Sequence, residues 1–345
     1  MLHPNVHLAW SQWSEEQTLH VIGVYSNPFR YRTRRELFQN FIAHMRSSAN
    51  VQLHVVEIAF GERPFEVSTA SDVQLRTSDV LWHKENAINI AVSRLPHGWK
   101  YAAYVDGDFC FSRQDWALEA IHQLQLYRFV QLYSNYAYLS PEHVPIRLQP
   151  SFAFVYRNYE NAKQGGSADG SSGICIGPDA NGKRWRHLIA PGATGGAWAF
   201  RRSTFEGIGG LLDICVTGSA DWHAAFGLTG EPAEVHPEMR NCGKAYCDAI
   251  ETWQQRAYEV VRGNIGYVSG HCSHHWHGST VSRGYGTRWH LLRDFDFDPA
   301  TDIVRDANGL WKWAGNKPKL ADAVTQYFQS RNEDSIAVVG EYPLL

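Results

Sequence analysis

The sequence lacks the cysteine patterns that mark disulfide frameworks and zinc knuckles. Its 345 residues include six cysteines, and no two of them form a C-x-x-C pair. It also lacks a signal peptide at its start, an apolar run long enough to cross a bilayer, an internal repeat and a low-complexity tract. These absences predict a cytoplasmic protein with reduced thiols and no membrane partner.

The sequence has little net charge. The formal value is −3, which excludes a global attraction to nucleic acid or to an anionic membrane, so any polyanion contact requires a local basic patch. The apolar fraction of 44% is ordinary for a globular protein with a large core. By contrast, 13 Trp and 16 Tyr exceed what a core needs, and aromatic faces either pack or hold sugars and bases.

The N-terminal part reads as a β-α-β unit. Strands are predicted at Leu19–Tyr25 and Val51–Phe60, with a helix between them that ends near Met45. Such a unit forms a parallel pair with a right-handed crossover, and ligands bind beyond the carboxyl ends of its strands. Residues 26–30 are therefore expected at a site. The basic run that follows either helps to hold phosphates or is a solvated loop.

The most informative stretch is Tyr101–Phe111. Residues 101–105 are apolar and β-prone, which predicts a central strand, and Asp106 and Asp108 follow with Gly107 between them. Residues i and i+2 of an extended chain point to the same side, so the two carboxylates are expected to converge on a cation. Hard oxygen ligands suit Mg²⁺ or Mn²⁺. The alternative is a solvated Asp-Gly turn.

Two helices are predicted around this strand. Residues 81–95 form the first, with Lys84 and Asn86 in its first turn, where anions are favoured. Residues 113–126 form the second, with Ser112 as its N-cap. The Tyr-rich segment 129–139 is predicted as one strand. From 161 to 183 glycine and serine dominate, which predicts a mobile loop.

Two later segments carry further candidates. Gly195 and Gly196 lead into a short strand and allow the backbone to pass close to a bound group. Asp221 precedes a helix predicted at 222–228, for which it is a good N-cap. The C-terminal region, residues 286–345, includes a helix predicted at 321–330, and no chemistry is assigned to this region.

Four histidines crowd into the segment 271–277. If this segment is extended, His275 and His277 share one face and His274 lies on the other. One imidazole is expected to complete the metal site. A structural zinc site is the alternative, but no second knuckle with the usual spacing accompanies it.

Four motifs together resemble a known family. They are KENAINIAVS at 84–93, VDGDF at 105–109, GATGGAWAFRRSTFEGIGGLLD with GSADW at 192–222, and HHWHGS at 274–279. In this order they resemble metal-dependent glycosyltransferases of the GT-A fold, of the family 2 and galactosyltransferase-like types. The resemblance implies a Rossmann-like α/β fold with a mixed sheet flanked by helices.

The resemblance also implies a division of the chain and a set of roles. Residues 1–285 would form the transferase domain, with a nucleotide half at 19–109 and an acceptor half at 110–285, and 286–345 would be a C-terminal extension. Asp108 would bind Mn²⁺ or Mg²⁺ directly, and Asp106 would reach the metal through water or contact a ribose. His277 would be the late metal ligand, with His275 as second choice.

The remaining implied roles concern the donor and the acceptor. Asp221 would be the general base for an acceptor hydroxyl. The residues lining the donor sugar would be Gly195, Gly196, Ala197 and Trp198, and those around the nucleotide would be Ser26, Asn27, Arg30, Lys84 and Asn86.

The resemblance predicts an enzyme that moves a hexose or pentose from a nucleoside diphosphate sugar, with UDP-sugars favoured. The family often has Glu-Asp at the base position, whereas this chain has Ala220-Asp221, which fits an inverting mechanism with a single base. Three alternatives remain. The acceptor could be a hydroxymethylated nucleic-acid base, as for some phage-encoded glycosyltransferases; the enzyme could be a nucleotidyltransferase; or the protein could be a non-catalytic carbohydrate binder.

Overall fold

A computed structural model describes residues 17–164, 177–178, 184–185, 192–230, 242–279, 281–284 and 287–336. The bounds of its strands are β1 (Leu19–Ser26), β2 (Val51–Phe60), β3 (Val73–Thr77), β4 (Tyr101–Val105), β5 (Phe109–Phe111), β6 (Phe129–Gln131), β7 (Asn135–Leu139), β8 (Pro145–Pro150), β9 (Gly177–Pro178), β10 (Arg184–Trp185), β11 (Ala197–Arg201), β12 (Ile265–Tyr267), β13 (His271–His274), β14 (Ile303–Arg305) and β15 (Trp311–Trp313). The bounds of its helices are α1 (Arg32–Ser47), α2 (Lys84–Val92), α3 (Trp116–Leu126), α4 (Phe152–Gln164), α5 (Arg202–Ile208), α6 (Ala220–Thr229), α7 (Lys244–Val261), α8 (His290–Asp294) and α9 (Pro318–Ser330).

A seven-stranded mixed sheet forms the centre of the molecule. Its strand order is β12-β6-β11-β4-β1-β2-β3, and β11 alone among these seven runs antiparallel to its neighbours. The predicted parallel pair β1 and β2 and the central position of β4 are confirmed, as is the mixed sheet flanked by helices. Parallel pairing places the carboxyl ends of β1 and β4 side by side, and the segments that follow both strands border one pocket.

Helices cover both faces of this sheet. Along β1, Val21 and Tyr25 point into a core shared with α1 and α3, whereas Ile22 packs into a second core with α2. This alternation follows from the two-residue period of a strand, and it explains why β1 is apolar on both faces. Within the described residues, no helix is both long enough and apolar enough to span a bilayer.

A second sheet, of order β5-β13-β7-β8, packs beside the first. The segment 129–139 was predicted as a single strand, which is wrong. Its first part, β6, belongs to the large sheet, and its second part, β7, pairs with β13 and β8 in the small one. The chain changes sheets between them at residues 132–134, so the continuous β-propensity does not reveal the break.

Three other predictions of local structure need correction. The third helix begins at Trp116 and not at Arg113, because Ser112 donates its Oγ hydrogen to the carbonyl of His271 at 2.7 Å instead of capping a helix. The helix predicted at 81–95, which is α2, spans only 84–92. Residues 161–164 continue α4, and the predicted mobile loop at 165–176 and 179–183 lies outside the described residues.

The hairpin of β14 and β15 is fastened to α2 by Asn86. Its Nδ2 donates to the carbonyl of Gly309 at 3.1 Å, and its Oδ1 accepts from the backbone N–H of Trp311 at 2.9 Å. The side chain is fully buried. Asn86 therefore joins the first helix after β3 to the last quarter of the chain.

We expect Asn86→Ala to lower the free energy of unfolding by about 1–3 kcal/mol, because it removes two hydrogen bonds of a buried side chain and takes from the N–H of Trp311 its partner, whereas the carbonyl of Gly309 keeps a bond from Arg305. Urea unfolding followed by circular dichroism measures the change. Asn308→Ala, at an exposed position of the same hairpin, is the matched control and should alter stability by less than about 0.5 kcal/mol. Equal losses in the two variants would contradict a fastening role for Asn86.

Candidate metal and anion site

A pocket of about 210 Å³ opens beyond the carboxyl ends of β1 and β4. Its walls come from the segment after β1, the first turn of α2, the turn between β4 and β5, and the start of α6. The loop after β13 and the segment after α9 complete it. The pocket thus forms where the topology of the sheet predicts a ligand site.

Asp106 and Asp108 lie in the tight turn between β4 and β5. The turn is closed by the N–H of Phe109, which donates to the carbonyl of Asp106 at 3.1 Å. Gly107 is needed because a Cβ at this position would lie 2.5 Å from the ring of Phe38. Its small size therefore makes room for the Phe38 side chain of α1.

The pairing of β5 with β13 brings histidines to this turn. His274 is the register partner of Phe109, and the N–H of His275 donates to the carbonyl of Asp108 at 2.9 Å. As a result, Asp108, His274 and His277 offer one ligand atom each, all within 4.8 Å of one another. A carboxylate and two imidazoles form a donor set suited to a divalent transition metal.

The prediction that His275 and His277 share a face is wrong. The strand ends at His274, and beyond it the Nδ1–H of His277 donates to the carbonyl of His275 at 2.9 Å. The chain is therefore no longer extended, and the alternation of side chains stops. His274 joins Asp108 and His277, whereas the ring of His275 packs near His143, with centroids 5.6 Å apart.

The hydrogen bond made by His277 fixes its tautomer. Because a carbonyl only accepts, Nδ1 carries the hydrogen, and a neutral ring turns its Nε2 lone pair towards Oδ2 of Asp108 at 3.2 Å. Burial holds the pKa of His277 well below its usual value, which disfavours the protonated ring. Two acceptors then face each other at hydrogen-bonding distance, an arrangement that a bound cation stabilises.

The carboxylate of Asp108 has a buried oxygen that a cation would also stabilise. Its Oδ1 is buried and has no hydrogen-bond partner among the described residues. Burial raises the pKa of Asp108, although Arg283, Lys84 and Arg34 oppose the shift. A metal ion would satisfy the buried oxygen, so the residues present fit a divalent cation, and the backbone bond that orients His277 is a typical outer support for a metal ligand.

Asp106 has a different partner from Asp108. Its Oδ1 lies 2.6 Å from Nζ of Lys84, in the first turn of α2. Burial raises the pKa of Asp106 to about 6 even though Lys84 opposes the shift. For Lys84, burial alone would lower the pKa, but the charges of Asp106, Glu85 and Asp221 outweigh it and raise the pKa. Lys84 therefore stays charged among carboxylates.

Asp221 lies on the wall formed by α6. It is not the N-cap predicted from the sequence, because α6 begins at Ala220 after Ser219 and Asp221 is within the first turn. Its Oδ2 accepts from Oγ1 of Thr194 at 3.1 Å. A Cβ on Gly195 would lie 2.7 Å from the same oxygen, so this glycine makes room for the carboxylate.

Only some of the predicted donor residues border the pocket. Within the described residues its lining includes Ser26 and Lys84 but not the other predicted donor residues, namely Asn27, Arg30, Asn86, Gly195, Gly196, Ala197 and Trp198. The second-choice metal ligand, His275, is also absent from the lining. Asn27 is buried and braces both backbone groups of Tyr31, at 2.9 Å each. Arg30 is exposed. Ala197 and Trp198 are core residues of β11.

The charges around the pocket balance. Within the described chain, its lining contains five acidic and five basic side chains, so their formal charges cancel. The acidic residues are Glu85, Asp106, Asp108, Asp221 and Glu333, and the basic residues are Arg34, Lys84, Arg283, Arg288 and Arg331. A divalent cation would leave an excess of about two positive charges, which an anionic ligand could neutralise.

Sequence reasoning missed several of these residues. His274 could have been found only from the register of β13 against β5. Arg331 and Glu333 belong to the extension to which no chemistry was assigned, and no sequence pattern relates them to the β4 turn. Glu85 was given no role, yet it lines the pocket and burial raises its pKa to about 7.

No protein-family model matches this chain, and a search of curated proteins finds no match. Among solved structures, the catalytic domain of Drosophila beta1,4-galactosyltransferase 7 in complex with xylobiose is similar over 88% of this chain and 97% of that one, with 11% identity and a TM-score of 0.35. A mutant of that protein, in complex with manganese, UDP-Gal and xylobiose, gives 12% identity and a TM-score of 0.34 over 88% and 97% of the chains.

Galactosyltransferase LgtC, in complex with donor and acceptor sugar analogs, is similar over 80% of this chain and 95% of that one, with 8% identity and a TM-score of 0.30. These similarities are too weak to assign a function, which therefore has to come from the site.

We expect His274→Ala and His277→Ala each to weaken Mn²⁺ binding by at least about tenfold, because each removes an imidazole from the ligand group. His275→Ala is the matched control. It keeps the backbone carbonyl that orients His277, so affinity should stay within about twofold. Isothermal titration of the purified protein with MnCl₂ measures all three. A strong loss in His275→Ala with none in His274→Ala would refute the assignment of ligands.

Proposed function

We propose that the chain is a metal-dependent glycosyltransferase of the GT-A type, which moves a sugar from a nucleoside diphosphate sugar to an acceptor hydroxyl. One observation carries the proposal: the Asp108, His274 and His277 group lies in the same pocket as five basic side chains and the carboxylate of Asp221. A diphosphate diester carries about two negative charges, the number that the pocket needs once a divalent cation is bound.

A bound divalent cation would stabilise the charge that develops on the diphosphate as the glycosidic bond breaks. Asp108, His274 and His277 would hold it. Two imidazole nitrogens favour Mn²⁺ over Mg²⁺, which takes oxygen ligands and water. Lys84, fixed by Asp106, supplies a positive charge beside the same turn and can pair with a phosphate oxygen.

Asp221 is our candidate for the general base. An acceptor hydroxyl is a weak nucleophile, and a positioned carboxylate removes its proton as it attacks. Thr194 holds one carboxylate oxygen at 3.1 Å, which keeps the side chain in a defined orientation on the pocket wall. With a single base, the expected stereochemistry is inversion. A product with the anomeric configuration of the donor would contradict this part of the proposal.

The donor assay tests the reaction class. We expect the protein to release a free nucleoside diphosphate from one member of a panel of nucleotide sugars, UDP-sugars first, with Mn²⁺ present and not with EDTA. Asp108→Asn should abolish the release, because it removes the carboxylate of the metal group. Release of pyrophosphate instead of a nucleoside diphosphate would identify a nucleotidyltransferase, and binding without release would identify a non-catalytic binder.

The base requires a separate test. We expect Asp221→Asn to lower the rate of sugar transfer by about 10²–10⁴-fold while leaving donor affinity within about threefold, because the amide cannot accept the proton. Asp115→Asn, an exposed carboxylate paired with Arg113 away from the pocket, is the matched control and should keep the full rate. Acceptors for this assay come from a panel of saccharides and hydroxymethylated DNA, and a rate unchanged by Asp221→Asn would remove it from the mechanism.

A further inference from the structure

The segment 328–335, which we term the C-terminal clamp, is anchored on two sides of the pocket. On one side the Tyr31 hydroxyl donates to the carbonyl of Gln329 at 2.7 Å, and the carboxylate of Asp334 accepts from the N–H of Thr33 at 2.8 Å, at the start of α1. On the other side Nε1 of Trp276 donates to the carbonyl of Ser335 at 2.6 Å. The clamp therefore joins α1 to the loop that bears His277.

This loop and the clamp also approach each other closely. Gly278 follows His277 with φ +91°, and a Cβ there would lie 2.9 Å from Cα of Glu333. The Tyr327 hydroxyl donates to the carbonyl of Arg283 at 3.0 Å, and Nη2 of Arg283 donates to the carbonyl of His277 at 3.4 Å. The clamp therefore packs against the loop that bears His277.

A buried carboxylate lies at the centre of the clamp. The side chain of Glu333 is 1% exposed, and its two oxygens accept from Nε of Arg34, at 2.7 Å, and from Nη2 of the same guanidinium. Nη2 of Arg331 lies 3.1 Å from Oε1. Burial alone would raise the pKa of Glu333, but Arg34 and Arg331 outweigh it and lower the pKa to about 2. The carboxylate is thus ionised and held from two sides.

The guanidinium groups around Glu333 carry more positive charge than its carboxylate can neutralise alone. Arg34, Arg283 and Arg331, which we term the arginine cluster, all line the pocket and are all buried or half-buried. Arg34 and Arg283 act electrostatically on Asp108, so the cluster adjoins the metal group. Glu333 and Asp108 together carry two negative charges beside three guanidinium groups, and a divalent cation at Asp108 would add to the positive excess, which planar guanidinium groups can direct to phosphate oxygens.

We propose that the arginine cluster binds the diphosphate of the donor and that Glu333 is the positioning residue that fixes Arg34 and Arg331 for it. This inference rests on the proposed function and makes the C-terminal clamp part of the donor site. Glu333 is an anchor and not an internal substitute for phosphate, because its carboxylate is closed off from solvent and holds Arg34 along one edge. Removing its charge should therefore disorder the arginines.

Binding of inorganic pyrophosphate tests the positioning role of Glu333 without knowledge of the nucleotide base, the sugar or the acceptor. The full chain is titrated first with MnCl₂ and then, at saturating Mn²⁺, with pyrophosphate. We expect Glu333→Gln and Arg331→Gln each to weaken pyrophosphate binding by about tenfold or more while Mn²⁺ affinity stays within about twofold. The double variant should be no weaker than the poorer single variant, because Glu333 acts through the arginine.

Asp302→Asn is the matched control. Asp302 is a fully buried carboxylate paired with Lys317 at 2.9 Å, outside the pocket, so its loss should destabilise the fold without weakening pyrophosphate binding. Wild-type affinity or tighter binding in Glu333→Gln would overturn the positioning role, as would additive losses in the double variant. If Glu333→Gln does not fold, the pyrophosphate affinity of Arg331→Gln tests the proposal. An unchanged affinity in that variant overturns it.

The two proposals fail in different ways. A wild-type protein that binds Mn²⁺ but not pyrophosphate overturns the role of the arginine cluster, whereas the donor assay judges glycosyl transfer separately. Release of a nucleoside diphosphate that is unaffected by Glu333→Gln and Arg331→Gln would leave the transferase assignment standing and remove the clamp from the donor site.

Discussion

The site depends on the pairing of β5 with β13. These short strands set His274 opposite Phe109 and bond the N–H of His275 to the carbonyl of Asp108, so residues more than 160 positions apart meet in one turn. A shift of one residue would turn His274 to the opposite face of the sheet and away from Asp108. Backbone hydrogen bonds between β5 and β13 therefore bring the histidines to the Asp108 side chain.

The sequence carried enough information to predict the architecture. The apolar runs of β1, β2 and β4 predicted the parallel β-α-β unit and the central strand, because each pattern reflects burial of a whole element, and the resemblance implied the mixed sheet. The sequence also located Asp106, Asp108 and the histidine segment. It did not reveal which histidines face the carboxylate, since this depends on where β13 ends, and the bond that turns His277 back involves only backbone and ring atoms.

Residues that act through distant partners were the hardest to predict. Asn86 looked like a ligand residue because it opens a helix near the acidic turn, yet it is buried against a hairpin more than 220 positions away. Glu333 and Arg331 carried no motif, and they reach the pocket because α9 ends beside α1. Arg34, with which Glu333 pairs, lies about 300 positions earlier, and no local period or propensity encodes such a contact.

The reversed strand β11 has a consequence for how the chain reaches this structure. It lies between β4 and β6, so it alone joins the two parallel parts of the large sheet, and it is contributed by residues 197–201. Until that segment arrives, β4 and β6 each keep an unpaired edge, which is prone to wrong pairing with other chains. The contacts that join the two parts link residues about 95 positions apart, so loop-closure entropy makes the pairing of β11 with β4 a slow step of folding.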